Sequence, residues 1–218
     1  MSSLPPSSLP SSSVSSASES PVAPAIRRLP ETVINRIAAG EIVERPASVV
    51  KELIENSIDA QARQIDIIIH NAGRNAISVI DDGFGMTSDQ LSLAIDPHTT
   101  SKLHDDTLST IRTLGFRGEA LASIGAVSRL TITSRACLAN GNHADNAWSI
   151  TIEAGTKGSL IPAAYPIGTR VDITDLFYKT PARLKFLKSA RTEITHLRDI
   201  IARFALAYPH ITFTLTSD

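Results

Sequence analysis

Two consecutive segments of the chain repeat their apolar residues every three or four positions, the spacing of an amphipathic helix. The first begins at Pro30-Glu31-Thr32 and is expected to end at Gly40, because glycine commonly follows the last turn of a helix. The second runs from Pro46 to about Ala60. Its apolar face consists of Val50, Leu53, Ile54, Ser57 and Ile58.

After Ala60 the repeat changes from a helical period to alternation. Ile65, Ile67 and Ile69 alternate with other residues, and after a Gly-containing loop Ile77, Val79 and Asp81 share one face. Two alternating runs joined by a short loop predict an antiparallel hairpin. In that hairpin the Asp81 carboxylate points to the core side, which is costly unless another group donates hydrogen bonds to it.

The rest of the chain continues with alternating helical and strand patterns. Residues 96–118 are predicted to be irregular apart from a turn near Thr107–Arg112. Further helices are predicted at Ser88–Ile95, Glu119–Gly125 and Thr192–Leu206, and strands at Leu130–Thr133, Ser149–Glu153, Ile167–Thr174 and Ile211–Ser217. This order predicts an α+β sandwich, with a mixed, mostly antiparallel sheet that carries helices on one face.

Composition excludes several classes of protein. The 218 residues are 42% apolar and carry a formal charge of −1, which argues against a polybasic nucleic-acid binder. No run approaches the roughly 20 apolar residues that a membrane-spanning helix requires. With Cys137 as the single cysteine, neither a disulfide framework nor a zinc knuckle is expected.

Residues 1–25 differ in composition from the rest. Eleven serines and five prolines lie within residues 1–24, so this leader is expected to be disordered. It lacks the basic start and apolar run of a secretory signal and the arginines of a transit peptide. The sequence therefore predicts that the protein is not secreted, and that it is cytoplasmic in a bacterium or nuclear in a eukaryote.

The helix after Pro46 carries the first candidate chemistry. Glu52, Asn56 and Asp59 fall within a narrow arc opposite its apolar face. A solvated helix surface would explain them, but Glu55 and Asp59 form a like-charged pair at the spacing where a solubilising helix would place lysine. Acidic side chains beside an asparagine, with no basic partner, suit a hard cation and an activated water.

Two glycine-containing turns carry the next candidates. Asp81-Asp82-Gly83-Phe84-Gly85-Met86 ends a strand, and a plain strand-end turn would also explain it. A dinucleotide fold is disfavoured because no second parallel strand follows the short helix. Gly115 to Leu121 opens a helix, where free N–H groups favour an anion, and Thr100-Ser101-Lys102 offers two hydroxyls and an ammonium group. No P-loop motif is present.

Six segments occur along the chain in a characteristic order: Asn35–Pro46, Lys51–Ala60, Asp81–Gly85, Thr100–Lys102, Gly115–Ile124 and Asp175–Arg183. Together they resemble a known family, the N-terminal ATPase region of the MutL DNA mismatch repair proteins. The resemblance covers about residues 26–218 and implies the Bergerat ATP-binding fold shared with DNA gyrase and histidine kinases.

The resemblance also implies roles for individual residues, with ATP and Mg²⁺ as cofactors. Glu52 would be the general base, Asn56 the Mg²⁺ ligand and Asp81 the acceptor of the adenine amino group, with Thr169 beside it. The remaining predicted nucleotide-binding residues are Gly83, Gly85, Thr100, Ser101, Lys102, Gly115, Phe116, Arg117, Gly118, Glu119, Ala120 and Leu121. Thr100–Lys102 and Arg117–Leu121 would form a lid over the phosphates, with Glu119 contributing backbone only.

Departures from the family pattern occur at Asp82, Pro97 and Lys179. In the family a second subdomain and a dimerisation domain follow, so this chain is expected to bind ATP, hydrolyse it weakly and be mostly monomeric, whereas the full-length protein is a homodimer. The expected partners are a mismatch-recognition protein of the MutS type and downstream repair enzymes.

Two hypotheses remain open from the sequence. The first is an ATP-driven, slowly hydrolysing switch that couples mismatch recognition to repair. The second is a nucleic-acid-binding scaffold with a vestigial nucleotide site, since residues 179–203 hold seven Lys or Arg and two Asp or Glu. That basic patch would contact DNA weakly and without sequence preference, or be ordinary helix surface. A phosphotransferase of the histidine-kinase type is disfavoured, because Glu52 suits hydrolysis better.

Overall fold

A computed structural model of the chain describes residues 27–102, 113–115, 118–138 and 143–218. The helices in these ranges are α1 Glu31–Ile42, α2 Pro46–Asp59, α3 Ser88–Leu93, α4 Ala120–Val127, α5 Pro181–Phe186 and α6 Ala190–Ala207. The strands are β1 Gln64–His70, β2 Ala76–Asp81, β3 Arg129–Arg135, β4 Ala147–Glu153, β5 Thr156–Lys157, β6 Ile161–Ala163, β7 Gly168–Thr174 and β8 Thr212–Ser217. The α+β class predicted from the sequence is confirmed.

These strands form one sheet in the order β5-β4-β3-β7-β2-β1-β8, and β6 also pairs with β4. All pairs are antiparallel except β1 with β8, which run parallel. Strand β7 lies between two hairpins, β1–β2 and β3–β4. The register sets Asp81 opposite both Ile65 and Thr169, and Thr169 opposite Ser134. A polar row therefore closes one end of an otherwise apolar face.

That face forms the core beneath the helices. Ile65, Ile67 and Ile69 of β1 are fully buried, as are Ile77 of β2 and Leu130 of β3. Burying one such side chain stabilises the fold by about 1.5–3 kcal/mol. The opposite face of the central strands is half-buried or exposed, so the alternation predicted for the hairpin is confirmed.

Helix α2 covers this core with the stripe that the sequence predicts. Val50, Leu53, Ile54 and Ser57 are buried, and Ile58 is half-buried. Pro46 occupies the first turn, where its missing N–H has no intrahelical partner to lose. The opposite face of α2 is thereby directed away from the sheet.

Helix α1 continues through Gly40 to Ile42, so the predicted end at Gly40 was wrong. The last carbonyls of α1 are satisfied by a side chain instead of a glycine turn. The Arg183 guanidinium donates to the oxygens of Gly40 and Val43 at 3.1 and 2.6 Å. A cation also interacts favourably with the negative end of a helix dipole.

Other differences are smaller. The helix predicted at Ser88–Ile95 ends at Leu93, and α5, β5 and β6 were not predicted. The predicted turn at Thr107–Arg112 and the Ser/Pro leader lie outside the described residues. Among the helices of the described ranges, none combines the length and the apolar character needed to cross a bilayer.

Candidate functional site

The Asp81 carboxylate lies at the polar end of the buried face, with 8% of the residue exposed. The Ser57 hydroxyl of α2 donates to its Oδ2 at 2.8 Å, and the Gly83 N–H donates to its Oδ1 at 3.0 Å. Burial raises the pKa of Asp81 above its usual value, while these hydrogen bonds act in the opposite direction. A buried hydrogen-bond acceptor is therefore held ready in a fixed orientation.

Thr169 stands opposite Asp81 on the neighbouring strand and is 8% exposed. Its hydroxyl oxygen lies 2.9 Å from that of Ser134, which is fully buried, donates to the Gly168 carbonyl oxygen at 2.9 Å and accepts from the Met86 N–H at 2.9 Å. Ser134 therefore holds Thr169 in place and is itself closed to a ligand. A carboxylate beside the Thr169 hydroxyl could recognise the amino group and a ring nitrogen of a purine.

Glycines allow three backbone segments to meet around Asp81. A Cβ on Gly85, whose φ is +63°, would stand 2.0 Å from the Arg135 carbonyl oxygen. A Cβ on Gly168 would stand 2.0 Å from the Asp81 carbonyl oxygen, and one on Gly83 would stand 2.7 Å from the Ala60 oxygen. At Gly83 and Gly85 the group that approaches closely is therefore protein backbone.

The outward face of α2 carries the other predicted groups. The Glu52 side chain is 27% exposed and lies 3.3 Å from the Lys51 ammonium, which also pairs with Glu55 at 2.8 Å. Asn56 stands one turn further along the helix and is half-buried. The expectation that the acidic side chains on this face have no basic partner was wrong, because Lys51 lies beside both Glu52 and Glu55.

Lys102 supplies the second basic group. Its ammonium nitrogen lies 2.8 Å from Asn56 Oδ1 and 2.5 Å from Asp59 Oδ2. The N–H groups of Leu114 and Gly115 also donate to the Asp59 carboxylate, at 3.0 and 3.2 Å. The Asp59 side chain is 8% exposed. Two loops predicted to hold phosphates thus meet at the end of α2.

The remaining loop residues pack around this junction. The Lys102 N–H donates to Thr100 Oγ1 at 3.1 Å, while Ser101 is exposed. Gly118 has a φ of +62°, and a Cβ there would stand 2.2 Å from the Thr99 oxygen, so the two loops touch. Glu119 lies 3.2 Å from His98, and the half-buried Ala120 and Leu121 form the first turn of α4. Phe116 and Arg117 lie outside the described residues.

Several residues of the site have contacts that the sequence did not predict. Ser57 interrupts the apolar stripe of α2, and Ser134 continues the alternation of Leu130 and Ile132. A polar residue in an apolar stripe was the signal that could have identified both. No local signal marked Gly168 or the loop contacts of Asp59, because their partners are distant in sequence.

The basic segment at residues 179–203 differs from the expected open patch. The Arg183 guanidinium turns inward to α1, lies 4.7 Å from the centre of the Phe177 ring, and its pKa is lowered by burial. Glu193 is fully buried, and its Oε1 accepts from the Lys188 N–H at 3.0 Å. Arg183, one of the seven basic residues of this segment, therefore stabilises the fold through contacts inside the protein.

A metal ion would have few protein ligands in this site. The described residues contain no group of three His, Cys, Asp or Glu side chains that could hold one. Asn56 Oδ1 nevertheless already contacts a cation, the Lys102 ammonium. That environment fits Mg²⁺, which typically takes one or two protein oxygens and completes its shell with phosphate and water.

The sequence of the chain is similar to that of known proteins. Residues 44–173 match the family model described as histidine kinase-, DNA gyrase B- and HSP90-like ATPase. The DNA mismatch repair protein MutL of Paramagnetospirillum magneticum is 58% identical over 192 residues, covering 88% of this chain and 31% of that protein. MutL of Nitrobacter winogradskyi is 58% identical over 193 residues, with the same coverage. The chain thus spans about a third of the length of these curated relatives.

Solved structures agree with these relatives. The Aquifex aeolicus MutL ATPase domain complexed with ADP superposes with a TM-score of 0.66 at 31% identity, covering 81% of this chain and 61% of that one. The N-terminal domain of a DNA repair protein gives a TM-score of 0.69 at 28% identity, covering 84% and 52%. The chain belongs to the family of histidine kinase-, DNA gyrase B- and HSP90-like ATPases, within which it is similar to the ATPase region of MutL.

Proposed function

We propose that this chain is the ATP-binding and slowly ATP-hydrolysing switch domain of a DNA mismatch repair protein. One observation carries the proposal: the last turn of helix α2 contacts a buried acceptor on one side and a cation-bearing loop on the other. Its Ser57 donates to the buried Asp81 carboxylate, and its Asn56 contacts the loop that holds Lys102. A vestigial site in a scaffold would have no need for this pairing of a buried acceptor with a cation-bearing loop.

Recognition of adenine is assigned to the Asp81 end. The carboxylate accepts a hydrogen from the adenine amino group, and the Thr169 hydroxyl, held by Ser134, serves the adjoining ring edge. Guanine presents a carbonyl oxygen at the corresponding position, which faces the carboxylate without a hydrogen to donate. The site should therefore prefer ATP to GTP.

The phosphates are assigned to the outward side of the same last turn of α2, where Asn56 and Asp59 lie. Lys102, the hydroxyls of Thr100 and Ser101, and the backbone of residues 118–121 would contact them. Asn56 Oδ1 would hold Mg²⁺ together with phosphate oxygens. When bound, Mg²⁺ neutralises phosphate charge and orients the γ-phosphoryl group for attack. Glu52, one turn before Asn56, accepts a proton from the attacking water as the general base.

Coupling to repair is proposed from the similarity to MutL. We infer that nucleotide binding by this domain signals to a mismatch-recognition protein of the MutS type and to downstream repair enzymes, in the cytoplasm of a bacterium. The homodimer belongs to the whole protein, and this chain alone should be mostly monomeric. Residues 179–203 would contact DNA weakly through the basic side chains other than Arg183.

Calorimetry and turnover on one preparation test the proposal. The chain should bind a non-hydrolysable ATP analogue in the presence of Mg²⁺, bind the GTP counterpart more weakly, and hydrolyse ATP more slowly than a chain extended to the length of its relatives. Absence of binding to either nucleotide would refute the proposed function. Equal turnover in the two chains would show that the additional domains do not contribute to the chemistry.

A further inference from the structure

Asp59 gathers groups that the sequence assigns to the nucleotide phosphates. Its carboxylate accepts from the Lys102 ammonium and from the N–H groups of Leu114 and Gly115. A carboxylate presents to these donors the same charged oxygens that a phosphate would. The donors are therefore already arranged around an anion that belongs to the protein.

The same ammonium also contacts the atom proposed to hold the metal. The Lys102 nitrogen lies 2.8 Å from Asn56 Oδ1, and its side chain is only 20% exposed. A Mg²⁺ ion would lie about 2.1 Å from that oxygen. Two cations sharing one oxygen in a partly buried site repel each other strongly. Simultaneous contact of the Lys102 ammonium and Mg²⁺ with Asn56 Oδ1 is therefore electrostatically unfavourable.

Gly115 shows how closely these groups converge. A Cβ on that residue would stand 3.1 Å from the Lys102 nitrogen, 3.8 Å from Asp59 Oδ2 and 3.9 Å from Asn56 Oδ1. The absence of a side chain at this position leaves room for the ammonium group between the two α2 residues.

We propose that the Lys102 ammonium takes the position of the metal on Asn56 until magnesium nucleotide binds, and that Asp59 is the positioning residue that holds it there. This inference rests on the proposed function, because it requires Asn56 to be the metal ligand. Binding of the magnesium nucleotide transfers the ammonium from Asn56 and Asp59 to a phosphate oxygen. Asp59 keeps its hydrogen bonds from Leu114 and Gly115, so the loop remains anchored during the exchange.

Calorimetry with a non-hydrolysable ATP analogue, in Mg²⁺ and in EDTA, measures how far magnesium raises the affinity. The ratio of the affinity in Mg²⁺ to the affinity in EDTA should increase about tenfold or more in Lys102→Met. In Mg²⁺ the cation that competes with the metal is gone, and in EDTA the complex has lost the cation that contacted Asn56. In Asp59→Asn this ratio should also increase, because the ammonium is held less firmly, while the metal-free affinity does not fall. Lys157→Met is the control, since Lys157 forms an ion pair of the same kind with Asp96 at 3.1 Å, outside the cluster of Lys102, Asn56 and Asp59.

A merely structural or phosphate-binding role gives a different result. If Lys102→Met or Asp59→Asn lowers the affinity by the same factor in Mg²⁺ and in EDTA, the exchange is refuted while the proposed function stands. If the unchanged chain binds no nucleotide under either condition, the proposed function fails and the exchange fails with it.

A second measurement follows the Lys102 ammonium group directly. The ¹⁵N signal of the Lys102 ammonium, assigned by its loss in Lys102→Met, should shift in Asn56→Ala and should shift again when the magnesium analogue is added to the unchanged chain. A signal that is insensitive to Asn56→Ala overturns the proposal.

Discussion

Replacing Asp81 by asparagine should remove nucleotide binding while leaving the fold intact. The side chain keeps its shape, and its remaining oxygen can still accept from the Gly83 N–H. The ligand loses a hydrogen bond to a charged acceptor, about 1.5–3 kcal/mol, and its amino group now meets an amide donor, which costs about 1–3 kcal/mol more. Together these terms predict a loss of affinity between roughly 10² and 10⁴-fold.

Stability should move in the opposite direction. The pKa of Asp81 is raised by burial, so the folded chain binds this proton more tightly than the unfolded chain does. Its contribution to stability is thus greatest in acid and is lost as the pH rises through the folded-state pKa. At neutral pH the ionised carboxylate is a cost that asparagine does not incur, so the melting temperature of Asp81→Asn should equal or exceed that of the unchanged chain.

Asp82→Asn is the matched control for this experiment. Asp82 is the next carboxylate along the chain, but it is exposed and accepts from the Arg63 and Gln64 N–H groups at 2.7 and 2.9 Å. Its removal should leave the affinity unchanged. Calorimetry with the ATP analogue and thermal melts at pH 5 and pH 7 measure both properties. Equal affinities for the two variants, or a large drop in melting temperature for Asp81→Asn alone, would refute the reasoning.

Three further substitutions probe other parts of the site. Glu52→Ala should bind the ATP analogue normally but hydrolyse ATP about 10² to 10⁴-fold more slowly in a chain with measurable turnover, and normal kcat would exclude it as the general base. Asn56→Ala should lose most of the effect of Mg²⁺ on affinity in calorimetry; an equal loss in EDTA would assign it another role. Arg183→Met should lower the melting temperature, because the carbonyls at the end of α1 lose hydrogen bonds from a charged donor, each contributing about 1.5–3 kcal/mol. Unchanged hydrogen exchange in α1 of that variant would contradict this last expectation.

Strand alternation predicts the burial of Asp81, which follows Ile77 and Val79 on one face of its strand. Thr169 shares a face with Val171 and Ile173 in the same way, whereas its place beside Asp81 was implied by the family resemblance. The register of β2 with β7 then brings them opposite each other. Alternation is a local property, and local properties can be read from one chain.

The arrangement around Lys102 could be predicted only in part. The motif containing Lys102 was identified from the sequence. Its position against Asn56 and Asp59 was not, because these contacts join residues that are 46 and 43 positions apart in the chain. The contact of Arg183 with α1 spans 140 residues or more. No periodicity encodes such contacts. The parallel pairing of β8 with β1 escaped prediction for the same reason.

The position of β7 between two hairpins also has a consequence for how the protein folds. The hairpins β1–β2 and β3–β4 join neighbouring segments and can form early, because closing a short loop costs little entropy. Asp81 lies on the first hairpin and Ser134 on the second, and neither hairpin pairs with the other. Only when β7 inserts between them do the two polar groups meet across Thr169. During synthesis the nucleotide site is therefore completed late, after residue 174 has emerged, and until then both hairpins present unpaired edges that invite aggregation.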